Sequence, residues 1–157
     1  MDRVRELTEV YRLIPHPEGG SFAECWVSSL AAGGRPLAGS IYFLLRENEI
    51  SHLHVIDCDE VWYYHEGEGM RITQISTDGK VSQSLLGPNA SAGQRMMVSI
   101  PAGTMFAARN LEGHGYTFVS CATAPQFTYA GFRMVKWEEL KALCGGTAEA
   151  LRPLIME

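Results

Sequence analysis

The stretch Ser51-His52-Leu53-His54-Val55-Ile56-Asp57-Cys58-Asp59-Glu60-Val61-Trp62-Tyr63-Tyr64-His65-Glu66-Gly67 reads as strand, turn and strand. Its side chains alternate with the period of two that a β-strand imposes, and Asp57-Cys58-Asp59 supplies a polar turn between the two runs. In that register His54 and Glu60 face each other across a hairpin, with Trp62 and Tyr64 continuing the face of Glu60. One face then carries an imidazole, a carboxyl, an indole and a phenol. Apolar walls with a few groups able to orient a ligand or move a proton are what a pocket requires.

Outward from this stretch the same pattern repeats. Residues 37–45, 49–56, 60–65, 70–76, 80–86, 95–100, 104–110 and 116–122 read as strands, separated by turn signals such as Asp78-Gly79, Gly87-Pro88 and Pro101-Ala102-Gly103. No helical period of useful length lies between them, which argues against a parallel α/β sheet. Short strands at near-regular spacing indicate an antiparallel sandwich or a closed roll, and closure disposes of exposed sheet edges.

The ends of the chain differ. Val4, Leu7, Tyr11 and Ile14 share one stripe of a helix over residues 2–14, which Pro15 and Pro17 stop. His16-Pro17-Glu18-Gly19-Gly20 is turn chemistry, with Gly19-Gly20 a tight turn and His16 exposed, as are His65 and His114 in similar contexts. A strand over 21–29 puts Phe22, Glu24 and Trp26 on one face, and 31–36 reads as an exposed connection. Residues 127–135 read as one more strand. Trp137, Leu140 and Leu143 then share a helical face over 137–143, closed by Gly145-Gly146, and the tail from 147 forms a short helix interrupted by Pro153.

Composition bounds the function. The 157 residues fit a single domain spanning 1–157, and 46% hydrophobic with 20% charged residues is ordinary for a globular chain. Thirteen Lys and Arg against eighteen Asp and Glu leave a net charge of −5, without the cationic excess that holds a nucleic-acid backbone. No apolar run approaches the ~20 residues of a membrane span, and the charged N-terminus lacks a secretory pattern, so the expectation is a cytoplasmic protein with no membrane partner. Cys25, Cys58, Cys121 and Cys144 are too sparse for a disulfide scaffold and read as reduced, mostly buried thiols.

Two segments carry a family resemblance. His54-x-Ile56-x(3)-Glu60-x(6)-Gly67 and Pro101-x-Gly103-x(2)-Phe106-x(3)-Asn110 resemble the two motifs of the cupins. Ile56 and Phe106 stand where that family commonly has metal-binding histidines, so only His54 and Glu60 remain of the four usual ligand positions. More narrowly, His16-Pro17-Glu18-Gly19-Gly20, Ile41-Tyr42-Phe43-Leu44-Leu45, Asp59-Glu60-Val61-Trp62 and Val98-Ser99-Ile100-Pro101-Ala102-Gly103 resemble the cupin branch of unknown function, Cupin type five, related to the dTDP-sugar epimerase-like barrels. The resemblance implies an all-β double-stranded β-helix, a jelly-roll barrel with short N- and C-terminal helices, a homodimer, and a pocket inside the barrel. It supplies no reaction.

The expected site follows from these residues. His54, Glu60 and Tyr64 are the candidates for chemistry, and Glu24, Ser40, Tyr42, Trp62 and Phe106 for ligand binding. The expected occupant is a small polar molecule, a nucleotide or nucleotide sugar among the candidates, held without metal or other cofactor. Arg46, Arg71, Arg95 and Arg109 are possible cations for an anionic ligand. A second reading is a metal-independent epimerase or isomerase in which His54 abstracts a proton, Glu60 orients it, and Tyr42 or Tyr64 returns a proton. A third is a metal-dependent oxygenase or isomerase in which His52 or Cys58 joins His54 and Glu60, although two ligands are fewer than a transition metal needs. Strand 21–26 is a candidate for exchange at a two-fold interface.

Overall fold

The computed structural model describes residues 2–157. Helix α1 (Arg3–Tyr11) starts where the Asp2 side chain accepts from the Val4 N–H, and it ends at Arg12, which adopts a left-handed conformation. Its Leu7 packs with Leu13 against Leu44 and Phe118. The strands follow as β1 (Ile14–Pro15), β2 (Ser21–Val27), β3 (Ala31–Ala32), β4 (Arg35–Pro36), β5 (Gly39–Arg46), β6 (Ile50–Ile56), β7 (Asp59–Gly67), β8 (Met70–Ile75), β9 (Val81–Leu86), β10 (Met97–Ile100), β11 (Met105–Asn110), β12 (Tyr116–Ala124) and β13 (Phe132–Met134). Helices α2 (Trp137–Cys144) and α3 (Ala148–Leu151) close the chain. Among the described residues no helix is long and apolar enough to cross a membrane.

The strands form two facing sheets, in the orders β1-β2-β5-β12-β7-β10 and β13-β6-β11-β8-β9, and all of their pairs are antiparallel. This is the jelly-roll barrel of a double-stranded β-helix. Alternating residues of both sheets fill its interior, among them Phe43, Trp62, Ile72, Leu86, Ile100 and Phe106. The outer face of the first sheet is partly covered by α1. That of the second is covered by α2 and α3, where Leu140 and Leu151 pack on Leu53, Ile75 and Met105.

The register corrects four expectations. First, β6 and β7 are not a hairpin, since they lie in different sheets and the turn between them crosses the barrel. His54 and Glu60 therefore approach the interior from opposite walls. Second, the pairing of β2 with β5 shifts between Glu24 and Trp26, a bulge that breaks the alternation, and Trp26 is 52% exposed. Third, residues 31–36 form a small hairpin of β3 and β4 around Gly33-Gly34, both at positive φ as primed hairpin turns require. Fourth, 127–135 is strand only at its end, because Tyr129–Gly131 is a 3-10 turn capped by the Thr128 hydroxyl. Of the four free cysteines Cys58 and Cys121 are buried, Cys144 is half-buried and Cys25 is exposed.

The loop between β1 and β2 lies directly on β6. The His52 N–H donates to the Glu18 carbonyl at 2.9 Å, and Gly19 sits at φ +109° so close that a Cβ would overlap the Ile50 carbonyl oxygen. Gly19→Ala is therefore expected to cost more than about 2 kcal/mol in urea unfolding, through left-handed strain and backbone displacement together. Gly93→Ala, whose φ is +79° but whose Cβ would meet open space, costs about 1 kcal/mol from strain alone. Equal losses would show that the loop has room against β6.

Candidate functional site

A cavity of 240 Å³ opens between the sheets at the end closed by this loop. The loop contributes His16 and Glu18, β2 contributes Phe22 and Glu24, and β7 contributes Glu60 and Trp62. His54 of β6 forms part of the opposite wall, and residues 126–129 complete the lining with Phe127 and Tyr129. The cavity exists because strand alternation points these side chains inward while the glycine loop admits a carboxyl.

Glu18 is the hub. Its Oε1 accepts from the Ser51 hydroxyl at 2.7 Å, and its Oε2 lies 3.1 Å from His54 Nε2 and 3.5 Å from His16 Nδ1. His54 Nδ1 lies 2.7 Å from the His52 carbonyl oxygen, which can only accept, so this nitrogen carries the hydrogen and Nε2 presents its lone pair. Burial pushes His54 down to about 4 and pushes the Glu18 carboxyl up, so both favour the neutral form. Wherever Glu18 holds its proton, it donates to His54 Nε2. His16 is lowered chiefly by burial, with Glu18 opposing and His54 reinforcing that shift.

Glu60 is different. It is 7% exposed, and burial, reinforced by the nearby Glu18, pushes it up to about 8, against the opposing influence of the Trp62 indole and Cys121. Burial also pushes the Cys121 thiol well above its usual range. The Trp62 indole N–H lies close enough to the Glu60 carboxyl to favour its ionised form, yet outside good hydrogen-bond geometry, and it is the one buried side-chain polar atom so left among the described residues. A donor buried without an acceptor costs stability, so an orphan facing a cavity points to an occupant.

Of the residues expected from sequence, His54, Glu60, Glu24, Ser40 and Trp62 line the cavity. The Ser40 hydroxyl is already committed to the Cys121 carbonyl at 3.0 Å. Tyr64, Tyr42 and Phe106 are outside the lining. The Tyr64 hydroxyl donates to the Gly67 carbonyl at 2.8 Å, and Tyr42 stacks on Phe118 and lies tilted against Tyr11 of α1. Phe106 lies behind the wall against the His54 ring, with centroids 4.1 Å apart. Glu60 does not orient His54, because both ring nitrogens are held by His52 and Glu18. Arg46, Arg71, Arg95 and Arg109 are also absent from the lining, which contains no Lys or Arg at all. Sequence reading missed Glu18 and His16, whose buried side chains it assigned to an exposed turn. The available signal was the glycine pair, which lets backbone approach backbone.

The sequence matches the family described as Cupin superfamily (DUF985) over residues 5–135. The chain belongs to this cupin family. A crystal structure of a Shewanella oneidensis protein is 32% identical to this cupin, with TM-score 0.92 and coverage of 99% of each chain. A hypothetical protein from Leishmania major is 26% identical, with TM-score 0.89 and 98% coverage of each. Oxalate decarboxylase from Bacillus subtilis, at 17% identity and TM-score 0.58 over 89% of this chain and 36% of that one, shares the fold. No curated protein matches. Metal ligands typical of the wider fold do not fit here. Ile56 and Phe106 replace two of them, both nitrogens of His54 are engaged, and among the described residues no group of three or more His, Cys, Asp or Glu is placed to hold a metal ion. Cys58 is buried outside the lining, its thiol pushed up to about 11 mainly by burial, and His52 Nδ1 is held by the Glu18 carbonyl.

The shifts give stability a defined pH dependence. Glu60 holds its proton more tightly folded than unfolded, so its contribution is present below about pH 4.5 and is lost as pH rises toward 8. His54, with its folded value lowered, opposes this only between about 4 and 6.5. From pH 6.5 to 8 the wild type is expected to lose about 2 kcal/mol, and Glu60→Gln to lose much less. Urea unfolding at the two pH values measures this, and a flat wild-type response would refute the raised carboxyl.

Proposed function

We propose that this cupin binds a compact polar molecule of monosaccharide size inside the barrel, using its own side chains. The observation that carries this reading is the Trp62 N–H, which lies beside the Glu60 carboxyl in an aromatic-bearing cavity without good hydrogen-bond geometry to it. At 240 Å³ the cavity falls below the ~300–1,000 Å³ of common small-molecule sites. A sugar ring fits that space, whereas a whole nucleotide sugar exceeds it. Phosphates would also meet carboxyls there without a single cation. The nucleotide part of the expected ligand is therefore not retained.

A thermal-shift and calorimetric panel of monosaccharides, polyols and nucleotides tests the proposal. A true ligand at ~100 times its dissociation constant adds roughly 2.7 kcal/mol to stability. Trp62→Phe, which deletes the donor and keeps a ring, is expected to weaken binding about tenfold. Silence across the sugars and polyols would refute the reading.

A second reading, proton-transfer isomerisation, is favoured by one observation. Glu60 faces the cavity with its proton held near neutral pH, the range in which a group both donates and accepts efficiently. It replaces His54 as the candidate base, and neither tyrosine is placed to return a proton. On this reading deuterium from solvent enters the carbon skeleton of a bound hydroxy-aldehyde or hydroxy-ketone, and Glu60→Gln lowers that exchange at least 100-fold. Exchange unaffected by the substitution would dismiss Glu60 from the role.

A further inference from the structure

Charge inside the cavity is one-sided. Glu18, Glu24 and Glu60 line it, and the only other side chains there able to carry charge are His16, His54 and Cys121, besides the hydroxyl of Tyr129. Glu18 is satisfied by Ser51 and His54. Glu60, by contrast, has only the Trp62 indole and the Cys121 thiol as neighbouring donors, with the Glu18 carboxyl also near, and the exposed Glu24 stands on the same lining, which holds no Lys or Arg. An organic anion entering this space would lose its hydration next to carboxyls with no compensating positive charge. A neutral molecule would satisfy the indole and leave the carboxyls as they are.

A cation does more. It favours the ionised form of the buried carboxyl that burial now opposes, and aromatic rings attract a desolvated ammonium through their negative faces. Phe22, Phe43, Phe127 and Tyr129 supply such rings around the acidic groups. A metal ion would make little use of these apolar walls. Resting on the sugar-sized ligand proposed above, we infer that the occupant carries a protonated nitrogen and a nearby hydroxyl or carbonyl oxygen, as an amino sugar or amino alcohol does. The ammonium meets Glu60 and Glu24, and the oxygen accepts the Trp62 N–H.

Three sugars of one ring size and different charge test this: D-glucosamine, D-glucose and D-glucuronate, titrated into the full chain by calorimetry at pH 6.5, where the amine is protonated. Glucosamine is expected to bind at least tenfold more tightly than glucose, and glucuronate not to saturate. Glu60→Gln should bring glucosamine to the affinity of glucose, while Trp62→Phe should weaken both and keep their ratio. Glucose binding as well as glucosamine, or glucuronate binding best, overturns the cationic ligand and leaves sugar-sized binding intact. Failure of all three overturns both. Manganese chloride is the fourth titrant, and saturable binding that competes with glucosamine would assign the acidic groups to a metal and overturn the organic cation.

Discussion

A carboxyl is buried between two β-sheets because residue 19 has no Cβ. Any side chain there would strike the Ile50 carbonyl, lift the loop from β6, and withdraw Glu18 from the barrel. The cost of burying Glu18 is offset by the Ser51 hydroxyl and the His54 ring, each within hydrogen-bond distance. That arrangement fixes His54 in turn. With one nitrogen on the His52 carbonyl and the other on Glu18, the imidazole is a structural clasp rather than a group free to touch a ligand. The proton chemistry left to the cavity belongs to Glu60.

The barrel was legible in the sequence because the strand period and the turn residues speak locally. Residues 70–75 and 105–110 are short runs that end in turn residues, and both form strands, β8 and β11. Glu60 and Trp62 share the lining for the same local reason, two positions apart on β7. The partner of His54 was not legible. A short polar turn such as Asp57-Cys58 reads alike whether it joins paired strands or carries the chain from one sheet to the other, and here it does the second. Tyr42 shows the related difficulty. Alternation separates two faces of a strand without saying which is inside, and α1 covers the face that holds Tyr42. Glu18 lay beyond both arguments, since a carboxyl between proline and glycine has the composition of any exposed turn and its burial comes wholly from the docked loop.

The apolar replacements shape the cavity as much as the polar residues do. Phe106 packs against the His54 ring on one side and, at 6.4 Å between centroids, edge-on to Trp62 on the other. It fills part of the barrel interior with an apolar ring set behind the cavity-lining side chains of His54 and Trp62. Ile56 lines that volume with a methyl-bearing wall. The result is a site whose polar groups are set among aromatic and aliphatic walls, which strengthens the electrostatic interactions made within it.

One proton governs the charge of that site. While it stays on Glu18, the Glu18–His54 pair is neutral and Glu60 feels mainly its own burial. Were it to pass to His54, the pair would hold opposite charges, with the negative end on Glu18, whose ionised form raises Glu60. Burial of the imidazole opposes this transfer, since it pushes His54 down to about 4. Burial brings Glu60 within reach of neutral pH, and a change at Ser51 or His52 that loosened the clasp and ionised Glu18 would be felt at a carboxyl on the opposite sheet. Coupling of this kind needs no conformational change, only the low dielectric around the buried Glu18 and Glu60 carboxyls.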